Sequence, residues 1–144
     1  MRADRATIET LVPHAGAMCL WDEAIDWNAT RIVVRTQGHR DPAHPLRCGD
    51  RLHAIHLCEY GAQAMAVHGG LLARERGTVA PPGMLVALRD VTFATARIDG
   101  IAAPLRVEAR VQFADANGSL YAFSVSADGV PLASGRVQVM TTPA

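Results

Sequence analysis

The sequence predicts an α+β fold, and three observations carry that reading. The stretch from Leu52 to about Val67 contains no proline and many good helix formers. Residues 104–113 alternate, with Leu105, Val107, Ala109, Val111 and Phe113 expected on one face and Arg106, Glu108, Arg110 and Gln112 on the other. Asn117-Gly118 and Asp128-Gly129 are hairpin signals that separate 119–126 from 131–140 and make the C-terminal half an antiparallel meander. The expectation is one long helix with an antiparallel sheet of about six strands wrapped around it.

The remaining elements follow along the chain. Residues 5–12 predict a short helix that stops before Pro13. Residues 18–27 and 31–37 read as strands, the second rich in β-branched side chains. Gly38 to Asp50, with its Gly, Pro, His and Asp, reads as a loop of the kind that carries sites. The long helix ends near Gly69 and Gly70 or runs on to Gly77. Residues 84–98 read as a long extended segment.

At 144 residues, with 49% hydrophobic and 19% charged residues, the chain has the size and composition of one packed domain spanning 1–144. Fourteen Arg, with no Lys, balance fourteen Asp plus Glu, so there is no basic face for nucleic acid. Three cysteines (Cys19, Cys48, Cys58) with no CxxC spacing imply no disulfide framework and a reducing compartment. No signal peptide and no apolar run of membrane-spanning length is apparent, so the expected location is cytoplasmic with no membrane partner.

The helix carries the most chemical information. Its polar exceptions, His53, His56, Glu59, Tyr60 and Gln63, fall within an arc of about 120° on an otherwise apolar cylinder. A carboxyl among apolar neighbours is costly to bury charged, and the protonated form is the one a general acid needs. Two plainer readings stand beside this one: the stripe is the solvent face, or Glu59 pairs with a buried Arg. His53, His56 and Glu59 fan too widely to meet one ion, and no HExxH pattern is present, so no metal is expected. His39 competes with His44 as a loop base. His14 reads as structural, and His68 as a cap on the helix carbonyls.

The sequence resembles the hot-dog-fold 3-hydroxyacyl-(acyl carrier protein) dehydratases. The likeness rests on Pro13-His14 before the first strand, His44-Pro45-Leu46-Arg47 in the loop, and Glu59-Tyr60-Gly61-Ala62-Gln63 in the helix. His44 and Glu59 lie fifteen residues apart, within one residue of the family's spacing. The resemblance is closer to the branch associated with aryl polyene pigment biosynthesis. It runs through Pro13–Leu20 with Asp22, His44–Arg47, Glu59–Gly69 and Leu88-Arg89-Asp90-Val91, over nearly the whole chain. Where the main family has a Pro- and Gly-rich stretch, this chain has Arg47-Cys48-Gly49-Asp50-Arg51.

The resemblance implies dehydration of a 3-hydroxyacyl thioester, with His44 as base and Glu59 as acid. It also implies substrate contacts from Gly49, Gln63, His56 and Arg47. Backbone N–H groups around Gly49 to Leu52, at the start of the helix, are expected to hold the thioester oxygen. No cofactor is expected, the substrate being carried on the phosphopantetheine of acyl carrier protein. Arg47, Arg51, Arg89 and Arg97 are candidates to meet that carrier. The expected assembly is a homodimer or a higher oligomer of dimers, or a heteromer with a second hot-dog dehydratase, with each site shared between subunits. The rivals are a hot-dog thioesterase using Glu59 and a non-catalytic hot-dog subunit.

Overall fold

The structure, a computed structural model, describes residues 1–12, 16–81 and 83–141. His14 and the Pro13-His14 motif lie outside the described residues. The order of elements is β1 (Ala3–Asp4), α1 (Arg5–Leu11), β2 (Glu23–Trp27), β3 (Arg31–Thr36), α2 (Leu57–Glu75), β4 (Gly83–Phe93), β5 (Leu105–Asp115), β6 (Gly118–Ala127) and β7 (Val130–Thr141). The seven strands form one sheet in the order β1-β2-β3-β5-β6-β7-β4, antiparallel throughout. The sheet curls around α2, whose residues 57–73 include none that is exposed. This is the hot-dog arrangement, with the two-residue β1 added to six longer strands.

Alternation builds the inner face. Ile32 and Val34 of β3, Val107 and Ala109 of β5, Tyr121, Phe123 and Val125 of β6, and Val137 of β7 are buried. They share one core with Leu57, Tyr60, Ala64, Val67 and Leu71 of α2. The α1 helix is capped by Asp4, whose Oδ1 accepts from the Thr7 N–H at 2.9 Å. It crosses α2 at Gly70, where a Cβ would lie 2.8 Å from the Cβ of Leu11.

Four expectations are corrected. The predicted strand 18–27 shortens to Glu23–Trp27. The preceding carbonyls of Gly16, Cys19 and Trp21 are taken by the Arg5 guanidinium at 3.1, 2.8 and 3.4 Å instead of by a neighbouring strand. The helix begins at Leu57, behind a 3-10 turn at Ala54–His56, and runs past Gly69 and Gly70 to Glu75. Residues 52 and 53, ahead of that turn, are extended because the segment pairs with 96–98: Ile98 N–H donates to Leu52 at 2.9 Å and Ala54 N–H to Ala96 at 2.9 Å. That pairing also draws the chain out of the sheet after Phe93, so β4 is shorter than 84–98. Finally, Phe113 is 59% exposed, because a bulge between Val111 and Phe113 turns it away from the face of Val107 and Ala109.

Candidate active site

The loop after β3 is organised to present His44. Its N–H donates to the Asp41 carbonyl at 3.0 Å, and its carbonyl accepts from Arg47 N–H at 3.1 Å. The Arg47 guanidinium spans the loop, donating to the carbonyls of His39 at 3.0 Å and Asp50 at 3.1 Å. His44 is 8% exposed. Its Nε2 lies 2.9 Å from the hydroxyl oxygen of Tyr60. Its Nδ1 accepts the Leu46 N–H at 3.1 Å. An amide N–H can only donate, so Nδ1 is the unprotonated nitrogen, and the neutral ring carries its proton on Nε2 and gives it to Tyr60. Burial lowers the His44 pKa, the charges of Arg47 and His56 lower it further, and Asp41 opposes them. The ring is therefore neutral at pH 7.

Tyr60 is fully buried in the first turns of α2, and burial pushes its hydroxyl well above the ordinary range. Its carbonyl accepts from Trp21 Nε1 at 3.0 Å, and the two rings meet edge to face with centroids 5.4 Å apart. Tyr60 belongs to the predicted polar stripe but carried no assigned role. The available signal was that a tyrosine on a buried helix needs a partner for its hydroxyl, and the nearby loop is rich in histidine.

Glu59 is half-buried in the first turn of α2. Gln63, one turn on, donates from Nε2 to Glu59 Oε1 at 3.1 Å and to the Met18 carbonyl at 2.8 Å, and its Oε1 accepts from Leu20 N–H at 3.0 Å. The buried Gln63 amide is thus fully engaged within the chain, which makes it a brace for Glu59 rather than an open substrate contact. His53 is extended and lies ahead of the helix, so it leaves the stripe; His56 is half-buried at the residue before α2.

Gly49 is exposed and has φ +63°, with open space where a Cβ would sit. It forms a tight turn closed by Cys48 N–H to Arg51 at 2.8 Å and Arg51 N–H to Cys48 at 3.1 Å. Two of the expected thioester-binding amides are committed elsewhere: Arg51 N–H to Cys48, and Leu52 N–H to Asp99 Oδ1 at 2.9 Å. These bonds take Arg51 and Leu52 out of the set expected to hold the thioester oxygen.

The other candidates also resolve. His39 is fully buried, with Nε2 donating to the Ile101 carbonyl at 2.8 Å, so it is sealed from a substrate. His68 is not a cap: it sits mid-helix, its Nε2 donating to the Asn28 carbonyl at 2.7 Å and its Nδ1 accepting from the Tyr121 hydroxyl. Arg97 is paired with Asp99 at 2.8 Å. Arg89 shares a groove with Phe113, Arg136 and Met140.

The arrangement thus offers a tautomerically fixed neutral imidazole and a braced carboxyl, carried by the loop and by the start of α2. Residues 6–144 match the ApeP-like family, described as ApeP dehydratase. The chain belongs to the ApeP-like dehydratase family. Among solved structures it is similar to the dehydratase heterocomplex ApeI:P from Xenorhabdus doucetiae, with a TM-score of 0.86 and 22% identity over 94% of this chain and 91% of that one. It is also similar to a hypothetical thioesterase with coenzyme A from Streptococcus pneumoniae, with a TM-score of 0.60 and 12% identity over 83% of this chain and 84% of that one. A third likeness, to AziG from S. sahachiroi, has a TM-score of 0.61 and 15% identity over 84% of this chain and 90% of that one. At these identities the structural likenesses establish the hot-dog fold. No curated protein matches the chain. As a member of this family the chain is a hot-dog dehydratase-type protein, and among the described residues no helix is long and apolar enough to cross a membrane.

Proposed function

We propose that the protein removes water from a 3-hydroxyacyl thioester carried on acyl carrier protein, giving the trans-2-enoyl thioester, in fatty acid or aryl polyene synthesis. The observation that carries this reading is the pairing of His44 with Tyr60, which brings the loop histidine to the helical turn that holds Glu59. Elimination needs a group to take the C2 proton, a group to deliver a proton to the departing hydroxyl, and a donor for charge on the thioester oxygen. Each proton-transfer partner contributes about 10²–10⁴-fold. His44 and Glu59 are the reacting pair in this reading, Gln63 and Arg47 position them, and His56 and Gly49 flank the entrance. The site needs no cofactor beyond the carrier's phosphopantetheine, and the setting is cytoplasmic.

The working unit in this reading is a pair of hot-dog chains. Supporting it, the edge strand β4 exposes Met84, Leu85, Val86, Leu88 and Phe93. Bare apolar edges of this length are protected in stable proteins, and a second chain is the simplest cover. The likeness to a heterocomplex favours a second hot-dog dehydratase as that chain, with a homodimer as the alternative.

One observation favours a second reading, a non-catalytic subunit: both ring nitrogens of His44 are engaged within its own chain. A single assay separates the readings. Purified protein, alone and with its hot-dog partner, is given a 3-hydroxyacyl carrier-protein thioester while enoyl product and free thiol are followed together. Enoyl product without thiol, lost in His44→Ala and Glu59→Ala, is the expected result. Thiol release that survives His44→Ala would identify a thioesterase. Turnover that depends on the partner and is indifferent to both substitutions would identify a silent subunit.

A further inference from the structure

The resemblance casts His44 as the base. The hydrogen bonds around it argue for a different role. Leu46 N–H donates to Nδ1 at 3.1 Å, which places the single proton of the neutral ring on Nε2, facing the Tyr60 hydroxyl oxygen at 2.9 Å. For His44 to act as a base, the proton on Nε2 would have to move to Nδ1. That move evicts Leu46 N–H from a partly buried position and leaves it without its acceptor. For His44 to donate, only one change is needed: a substrate oxygen takes the place of the Tyr60 oxygen at Nε2, with no change of tautomer.

Part of the donor set first expected for the thioester oxygen is also taken. Arg51 N–H and Leu52 N–H are both occupied inside the chain. A neutral imidazole N–H in a largely buried setting supplies what they do not. It can stabilise an oxyanion without itself giving up a proton, because the charged enolate forms beside a fixed donor.

We infer that His44 serves as the neutral hydrogen-bond donor to the thioester oxygen, that Tyr60 is its positioning residue, and that Glu59 alone moves the proton. This rests on the dehydratase reading above. The Glu59 carboxylate takes the C2 proton, and the C–H electron pair goes into an enolate whose oxygen accepts from His44 Nε2–H. The enolate then collapses: C2=C3 forms, the C3–O bond breaks, and the carboxyl proton of Glu59 leaves with the hydroxyl as water. Glu59 ends as the carboxylate and His44 ends as it began, so no further acid or base is required. Gln63, which donates to Glu59 Oε1, holds that carboxyl in one orientation through both steps.

Two measurements test this. The first is a ¹⁵N NMR assignment of the His44 ring in the free protein at pH 7.5. The expected result is a proton on Nε2 and an acceptor-type Nδ1, with the Nε2 resonance moved in Tyr60→Phe. A proton on Nδ1 would overturn the inference, and an unmoved Nε2 resonance in Tyr60→Phe would remove Tyr60 as the positioning residue. The second is turnover of the 3-hydroxyacyl thioester by His44→Gln, His44→Ala and Glu59→Gln with the partner chain present. A glutamine amide donates but takes no proton, so His44→Gln should keep about tenfold or more of the activity that His44→Ala loses, the loss itself being about 10²–10³-fold. Glu59→Gln should fall further than either. Equal loss in His44→Gln and His44→Ala would make His44 a base and sink the inference. Absence of turnover in the unsubstituted protein would sink the dehydratase reading and this role with it, a result distinct from the tautomer found by NMR.

Discussion

The Gln63 side chain donates to Glu59 Oε1 at 3.1 Å, and in doing so ties the carboxyl to the N-terminal segment through Met18 and Leu20. One amide thereby fixes a functional group and welds α2 to the strand-bearing part of the fold. Removing it takes one hydrogen bond from each of two backbone groups and from one carboxylate at once. Gln63→Leu is expected to destabilise the protein by about 2–4 kcal/mol, read from urea unfolding, because buried Leu20 N–H and the Met18 carbonyl lose the side-chain partner that Gln63 gives them. Turnover per folded molecule should also fall, since Glu59 loses its brace. A midpoint within error of the unsubstituted protein would show that the segment does not depend on this amide.

Packing around α2 makes a paired prediction. A Cβ at Gly61 would lie 2.8–3.0 Å from three ring atoms of Phe123, whereas one at Gly69 meets nothing within 4 Å. Both residues lie in the helix interior, where alanine is intrinsically better by about 0.5–1 kcal/mol. Gly69→Ala should therefore stabilise by roughly that amount. Gly61→Ala should instead destabilise by about 1–3 kcal/mol, because the ring it strikes is itself packed in the core. Thermal melts of the two variants should move in opposite directions.

These particulars show what the sequence could reveal. The meander was legible because alternation and two Asn/Asp-Gly turns are local signals, and β5, β6 and β7 follow them. Glu59, Gln63 and His44 were legible because polar residues on a greasy helix and in a His-bearing loop are conspicuous. The start of α2 was not, because residues 52–54 have helical propensity that is overridden by pairing with 96–98, a contact more than forty residues away in the chain. The outward turn of Phe113 depends on a bulge that leaves no compositional trace. Gly49 enters the sequence reading as a substrate contact that the resemblance implies, and the turn that its positive φ serves has no signal there. The His44–Tyr60 bond, on which the chemistry turns, joins two residues that no local pattern links.

Stability should depend on pH through three buried histidines. Burial is the largest cause lowering the pKa of His39, His44 and His68 below the ordinary 6.5. For His39 the Arg40 and Arg47 charges add to the effect and the bond to Ile101 opposes it; for His68 the bond to Asn28 and the Glu75 charge oppose it. Below pH 6.5 the unfolded chain binds protons that the folded chain refuses, so stability is fully present above that pH and is lost as pH falls through it. The slope approaches about 1.4 kcal/mol per pH unit for each histidine in the window between its two pKa values. Urea midpoints at pH 7.5, 6.5 and 5.5 should fall in that order. A flat profile would mean that these rings accept protons in place.

The edge of the sheet makes the last prediction. Leu85 and Leu88 of β4 pair with Val139 and Val137 of β7, on the face of the sheet that elsewhere packs on the core, yet they are 47% and 42% exposed. Side chains that follow a core-facing register but meet solvent mark a surface meant to be covered. The double substitution Leu85→Arg with Leu88→Arg should change the stability of the lone chain by no more than about 0.5 kcal/mol per site, as expected for exposed positions. The same charges should abolish association, because two guanidinium groups would have to be desolvated against an apolar partner strand. Light scattering after size exclusion, run on the chain alone and mixed with its hot-dog partner, reads the difference directly. Assembly lost in both samples would assign β4 to every pairing this chain makes. Loss in the mixture alone would reserve the edge for the heteromer. Assembly intact in both would place the interface elsewhere and leave these leucines unexplained. If the active site is completed across this edge, dehydration should disappear together with association, and at the same protein concentration.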